Sequence, residues 1–214
     1  VLLYNTDSIK STPKSWMSLA DKSYNKKVVI PGMPDYQGLA LAIILDHARG
    51  GTDYLTNLDR GLTAVGEIAP NVLTWEPKPE IYPIIVSGQA IIGVGWNARA
   101  QINADISNGR LAATVPVEGT VFQINTINLI ANSPAPDAAK KFIDYALSTE
   151  AQSAFSESMY YAPTNSKAEI SDKAKNKTAA NSMDKVVSMD WIALASVRDS
   201  IMNQWRRRII PLSR

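Results

Sequence analysis

Residues 26–51 read KKVVIPGMPDYQGLALAIILDHARGG, a strand, a loop and a helix in one unit. Val28, Val29 and Ile30 form an apolar run that Pro31 and Gly32 stop, the pattern of a short buried strand. From about Gln37 to Arg49 the residues Leu39, Ile43, Ile44 and Ala48 share one stripe at helical spacing, and Gly50-Gly51 supply a C-terminal stop. The loop Pro31 to Gln37 thus precedes a helix, and its backbone N–H groups and the positive end of the helix dipole suit a carboxylate or other anionic group. Asp35 and Tyr36 project from this loop, as ligand contacts or, in the case of Asp35, as the helix cap.

The same alternation extends on both sides. Upstream, Val1 to Tyr4 reads as a strand, and Ser15 is placed to cap a short helix holding Trp16, Met17 and Leu19. Downstream the pattern predicts a helix from about Tyr54 to Ala69, a strand Val72 to Trp75, a helix near Glu80 to Val86 and a strand Ile91 to Gly95. Short apolar runs alternating with amphipathic helices indicate an α/β sheet covered on both faces. After Val115 the character changes. Phe122 to Ala131 reads as a long strand, Pro134 opens a helix through Leu147, and Thr149 caps another through Glu157. Asn165 to Asn181, rich in Lys, Ala, Ser and Asn, reads as a surface helix or loop. From Met189 to Ile209 a last helix carries Trp191, Leu194, Val197, Ile201 and Trp205 on one side.

Composition narrows the function. Hydrophobic residues make up 45% and charged residues 20%, the balance of a folded globular protein. The longest apolar stretch, Leu39 to Leu45, is far shorter than the roughly 20 residues that span a bilayer. A net charge of +2 with interspersed signs does not describe a nucleic-acid binder, and the run Arg206 to Arg208 reads as a solvated helix end. There is no cysteine and one histidine, His47, at a helix end. Thiolate zinc sites, cysteine nucleophiles and His-rich metal sites are therefore excluded, and no G-x-S-x-G elbow is present, so no enzymatic centre and no cofactor are expected.

Several short motifs resemble, in order, those of the type II solute-binding proteins of ABC importers, the polyamine, iron, thiamine and opine receptor group. They are Leu3-Tyr4-Asn5-Thr6-Asp7 followed by Pro13-Lys14-Ser15-Trp16; Lys26 to Pro31; Pro70-Asn71-Val72; Ser87-Gly88-Gln89 before Gly95-Trp96-Asn97; and Pro116-Val117-Glu118-Gly119. Pro136-Asp137-Ala138-Ala139 with Lys141-Phe142-Ile143, then Tyr161-Ala162-Pro163-Thr164-Asn165, and Asp190-Trp191 complete the set. The resemblance implies an α/β, periplasmic-binding-protein-like type II fold with one complete lobe and part of the other. It divides the chain into a hinge-crossing strand (1–9), the second lobe (10–121), part of the first lobe (122–165) and a C-terminal helical segment bracing the lobes (166–214). The opening part of the family's first lobe has no counterpart in this sequence. The chain is therefore expected to be cut on that side, to leave Ile127, Leu129, Ile130, Phe142, Ile143 and Leu147 bare, and to self-associate.

By the same resemblance the chain captures a small solute outside the cytoplasmic membrane and hands it to the transmembrane subunits of an ABC permease. Its location would be the periplasm, or the outer surface of a Gram-positive cell by a membrane tether. Trp96 matches the tryptophan that lines the ligand groove of polyamine receptors, and it follows a strand at the carboxyl end, where open α/β sheets bind ligands. Arg99 could grip a carboxylate bidentately or form a surface ion pair. Gln123 and Asn125 stand where polyamine receptors carry a tryptophan and an ammonium-binding aspartate. The loss of that carboxylate favours a carboxylate-bearing solute, of amino-acid or opine type, over putrescine or spermidine.

Overall fold

A computed structural model describes residues 1–33 and 35–214. Five short strands, Leu2–Asn5 (β1), Val28–Val29 (β2), Val72–Thr74 (β3), Ile92–Val94 (β4) and Leu111–Thr114 (β5), form one sheet in the order β3-β2-β4-β1-β5. β2 runs parallel to β3 and β4, whereas β1 lies antiparallel between β4 and β5. The helices are Tyr36–Ala48 (α1), Asp59–Ile68 (α2), Ile81–Val86 (α3), Asn97–Ile106 (α4), Pro136–Ala146 (α5), Thr149–Met159 (α6), Asp172–Lys177 (α7) and Trp191–Arg208 (α8). None of them is long and apolar enough to cross a membrane.

Successive strand residues point to opposite faces, so a strand buried on both sides reads as a continuous apolar run. Leu2, Tyr4, Val28 and Ile30 meet α1, α2 and α8 on one face, while Leu3 and Val29 meet α3 and α4 on the other. Helix α1 explains its own unbroken hydrophobicity in the same way, since every residue from Gln37 to Asp46 is buried. It packs so closely on α2 that a Cβ at Gly61 would lie 2.0 Å from the Ala42 carbonyl oxygen.

The motifs that carry the family resemblance are hydrogen-bond hubs. The indole N–H of Trp16 donates to the Gly119 carbonyl at 2.8 Å, its backbone N–H to the Glu118 carboxylate at 3.1 Å, and the Ser15 hydroxyl donates to the same carboxylate. Two stretches a hundred residues apart in sequence are thereby clamped. Asn5 accepts from the N–H groups of Asp7 and Ser8 and donates to the Ile85 carbonyl at 2.7 Å. Ser15 caps the short helix as predicted, accepting from Met17 N–H at 3.0 Å.

Several expectations need correction. The stretch Phe122 to Ala131 is not a strand: its backbone finds no ladder partner among the described residues, where the nearest bridge joins Thr120 to Val186. Helix α2 starts at Asp59 rather than Tyr54, because the side chains of Asp53 and Asn57 take the N–H groups of Leu55 and Asp59 in local turns that precede it. Ser148, not Thr149, caps α6, accepting from Ala151 N–H at 3.2 Å. Helix α4 and strand β5 lie in a stretch that shows no periodic apolar pattern. The bare apolar residues are observed: Ile127, Leu129, Ile130, Phe142 and Leu147 are exposed and Ile143 is half-buried, and Tyr145 and Phe155 join them on α5 and α6.

Candidate functional site

Helices α1 and α4 follow the parallel strands β2 and β4, so both helix N-termini emerge at the carboxyl edge of the sheet. Their dipoles bring partial positive charge to one place. Asp35 caps α1, its carboxylate accepting from Gln37 N–H at 2.8 Å, and remains exposed. The neighbouring Pro34, within the loop Pro31 to Gln37, lies outside the described residues.

Gln37 joins the two helix starts. With its amide oriented to satisfy both partners, it donates to the Val94 carbonyl at 2.8 Å and accepts from the Trp96 indole N–H at 2.8 Å. On its other side the backbone N–H of Trp96 donates to the Tyr82 hydroxyl at 3.1 Å, and that hydroxyl donates back to the Trp96 carbonyl at 3.3 Å. Burial pushes the Tyr82 phenol well above its ordinary range, so it stays neutral and keeps its proton for this contact. Trp96 is thus held from both sides and is half-buried.

The C-terminal helix also reaches this edge. Trp191 stands edge-on to Tyr36, centroids 5.5 Å apart at 81°, and its indole N–H donates to the Phe122 carbonyl at 3.0 Å. Arg198 lays its guanidinium over the Tyr36 ring at 5.4 Å. Of the sequence-derived residues, Asp35, Tyr36 and Trp96 are therefore linked in one cluster. Gln123 and Asn125 follow Phe122 and are exposed. Arg99, one turn into α4, forms an ion pair with Glu80 at the start of α3. Sequence reasoning missed Gln37 and Arg198; the signal for Arg198 was its spacing of seven from both Trp191 and Trp205.

Behind α4, Asp105 accepts from the Tyr160 hydroxyl at 2.7 Å and from the Lys177 ammonium at 2.5 Å. The Lys177 carbonyl accepts from Asn97 Nδ2 at 2.7 Å, which ties α7 to the residue beside Trp96. A separate shallow hollow of about 220 Å³ lies at the opposite end of α1, lined by Asp46, His47 and Tyr54 among others. It offers no convergent helix N-termini, and we place no function there. Among the described residues no three His, Cys, Asp or Glu side chains come together as a metal site.

Residues 1–182 match the family described as bacterial extracellular solute-binding protein. An ABC transporter structure from Clostridium perfringens is similar over 97% of this chain and 66% of its own, with a TM-score of 0.77 and 22% identity. A Bordetella parapertussis chain described as a candidate extracellular solute-binding protein is similar over 97% of this chain and 65% of its own, with a TM-score of 0.76 and 26% identity. An uncharacterized protein of Haemophilus influenzae is 31% identical over 151 residues, 67% of this chain and 40% of that protein. The chain therefore spans less than two thirds of the length of each of these relatives. By its family match and by its sheet, with an antiparallel strand set among parallel ones, this chain belongs to the bacterial extracellular solute-binding proteins and has their type II periplasmic-binding fold.

Proposed function

We propose that this chain is the capturing component of an ABC importer, that it binds a small carboxylate-bearing solute of amino-acid or opine type, and that it delivers the solute to a membrane permease from the periplasm or the outer cell surface. The observation that carries the reading is the junction of two helix N-termini through Gln37, with the half-buried Trp96 on one side and the exposed Tyr36 on the other. Such an edge offers positive potential for an anionic group and an aromatic face for the rest of a small molecule. The family is one of binding proteins, which return their ligand unchanged.

In this reading Asp35, Tyr36 and Trp96 touch the solute, Gln123 and Asn125 face it from the crossing segment, and Arg99 stands at the rim with Glu80. Residues 10–121 form one lobe, 122–165 belong to the other, 1–9 cross between them and 166–214 brace them. The exposed carboxylate of Asp35, which caps α1 next to Tyr36, favours a second reading, a putrescine or spermidine receptor, because its remaining lone pairs could take an ammonium group. Thermal-shift screening of the full-length gene product separates the two. A ligand that binds only the native state raises its apparent stability, by about 2.7 kcal/mol at a concentration of 100 times Kd. Shifts with amino acids or opines are the expected result; shifts confined to polyamines would establish the second reading.

A further inference from the structure

We infer that Trp191, the first residue of α8, is a positioning residue of the site, the one side chain that pins the segment 122–131 and Tyr36 to each other and so sets how tightly the solute is held. The inference rests on the reading that this edge of the sheet receives the solute, and it adds a residue that acts through two solute-facing segments. The start of α8 is fixed by its backbone. Asp190 caps it by accepting from the N–H groups of Ile192 and Ala193 at 3.0 and 2.9 Å, and the Asp190 N–H donates to the Tyr54 hydroxyl at 2.6 Å. Farther along, Leu194, Ile201 and Trp205 anchor the helix in the core. The Trp191 ring is therefore carried on a helix whose own footing does not depend on it.

Its contacts go to the site instead. Residues 122–131 have no ladder partner, and among the described residues the Trp191 indole makes the only hydrogen bond that joins them to a distant part of the chain, through the Phe122 carbonyl. A single donor on otherwise unpaired backbone decides where that backbone sits, and Gln123 is the next residue. The other contact is with Tyr36, edge-on at 5.5 Å. Tyr36 is 41% exposed, and an aromatic partner in this geometry restrains a ring with so much open surface. One side chain, 69 residues from Phe122 in sequence, thus couples the start of α1 to the start of the segment that carries Gln123 and Asn125.

Calorimetry on the full-length gene product tests the assignment with 4-aminobutyrate, L-glutamate, L-arginine, octopine, putrescine and spermidine, and the solute that binds the unaltered protein most tightly serves as the probe. Trp191→Phe keeps a ring against Tyr36 and removes the N–H, and it should weaken binding roughly 3- to 10-fold, the loss expected for one neutral hydrogen bond. Trp191→Leu removes both contacts and should weaken binding roughly 10- to 100-fold. Ile192→Ala, a truncation of the 89% exposed next residue, should stay within about twofold of the parent. A general loss of stability would lower the melting temperature without singling out a partner, so double-mutant cycles decide the mechanism. In a Gln123→Ala background Trp191→Phe should change affinity by no more than about twofold, and in a Tyr36→Ala background Trp191→Phe and Trp191→Leu should bind alike within about twofold. Unchanged affinity in Trp191→Leu, or additivity in either cycle, would overturn this inference and leave the binding edge standing. Binding of none of the six solutes would overturn both.

Discussion

Asn71 spends its side-chain amide protons on the Leu19 and Asp21 carbonyls, at 2.9 and 2.7 Å, from a site that is 5% exposed. Asn71→Ala leaves both carbonyls without that partner and should cost about 1–3 kcal/mol, read as a lower urea midpoint at unchanged slope. Trp96 behaves differently, because it is only partly buried and its polar groups are tied to Gln37 and Tyr82. Trp96→Ala should forfeit on the order of 1–3 kcal/mol of solute contact, whereas a core tryptophan would cost roughly 3–5 kcal/mol of stability. A variant that melts much earlier and keeps its affinity would remove Trp96 from the site. At this scale the sequence was informative about hubs and silent about partners. Ser15-Trp16 and Glu118-Gly119 stood out as separate motifs, but that one clamps the other is a long-range fact that no local pattern carries.

Helices α1 and α2 approach so closely at Gly61 that a methyl group there would overlap the Ala42 backbone. Alanine gains up to about 1 kcal/mol in helix propensity over glycine, but the backbone cannot yield cheaply, so Gly61→Ala should destabilise by roughly 1–3 kcal/mol net. Thermal melts showing a stabilised variant would contradict that packing. The contact between α4, α6 and α7 titrates. Hydrogen bonds from Lys177 and then Tyr160 hold the Asp105 carboxyl below its ordinary value of 3.8. A depressed carboxyl stabilises the fold above its unfolded value, and that contribution is lost as pH falls through the lower folded value. Asp105→Asn should therefore flatten the acid limb of the melting profile below pH 3.8, and profiles that superimpose there would show that these hydrogen bonds to Asp105 do not stabilise the fold. Elements with strong periodicity or clear stops, such as α1, α8 and β2, were legible in sequence to within a residue or two. Helix α4 was not, because Asn97, Gln101, Asn103 and Asp105 dilute its apolar stripe, and the alternation of Phe122 to Ala131 suggested a strand whose partner the described chain does not provide.

The described residues form one sheet buried on both faces and, beyond it, an extended segment and two helices with little cover. Ile124, Ile130, Phe142, Tyr145 and Phe155 are each more than half exposed, and α5 buries no residue at all. Soluble monomers rarely carry such a patch beyond a few hundred Å². A polypeptide of these 214 residues prepared alone should self-associate, and a clean monomer in light scattering would show that the patch is tolerated. Titration of the full-length gene product with 4-aminobutyrate, L-glutamate, L-arginine and octopine, and separately with putrescine and spermidine, in a calorimeter at neutral pH shows whether this edge of the sheet receives a carboxylate-bearing solute. Saturable one-to-one binding of at least one carboxylate solute and no heat from the polyamines are the expected result. Tight binding of putrescine or spermidine with no response to any of the carboxylates would contradict it.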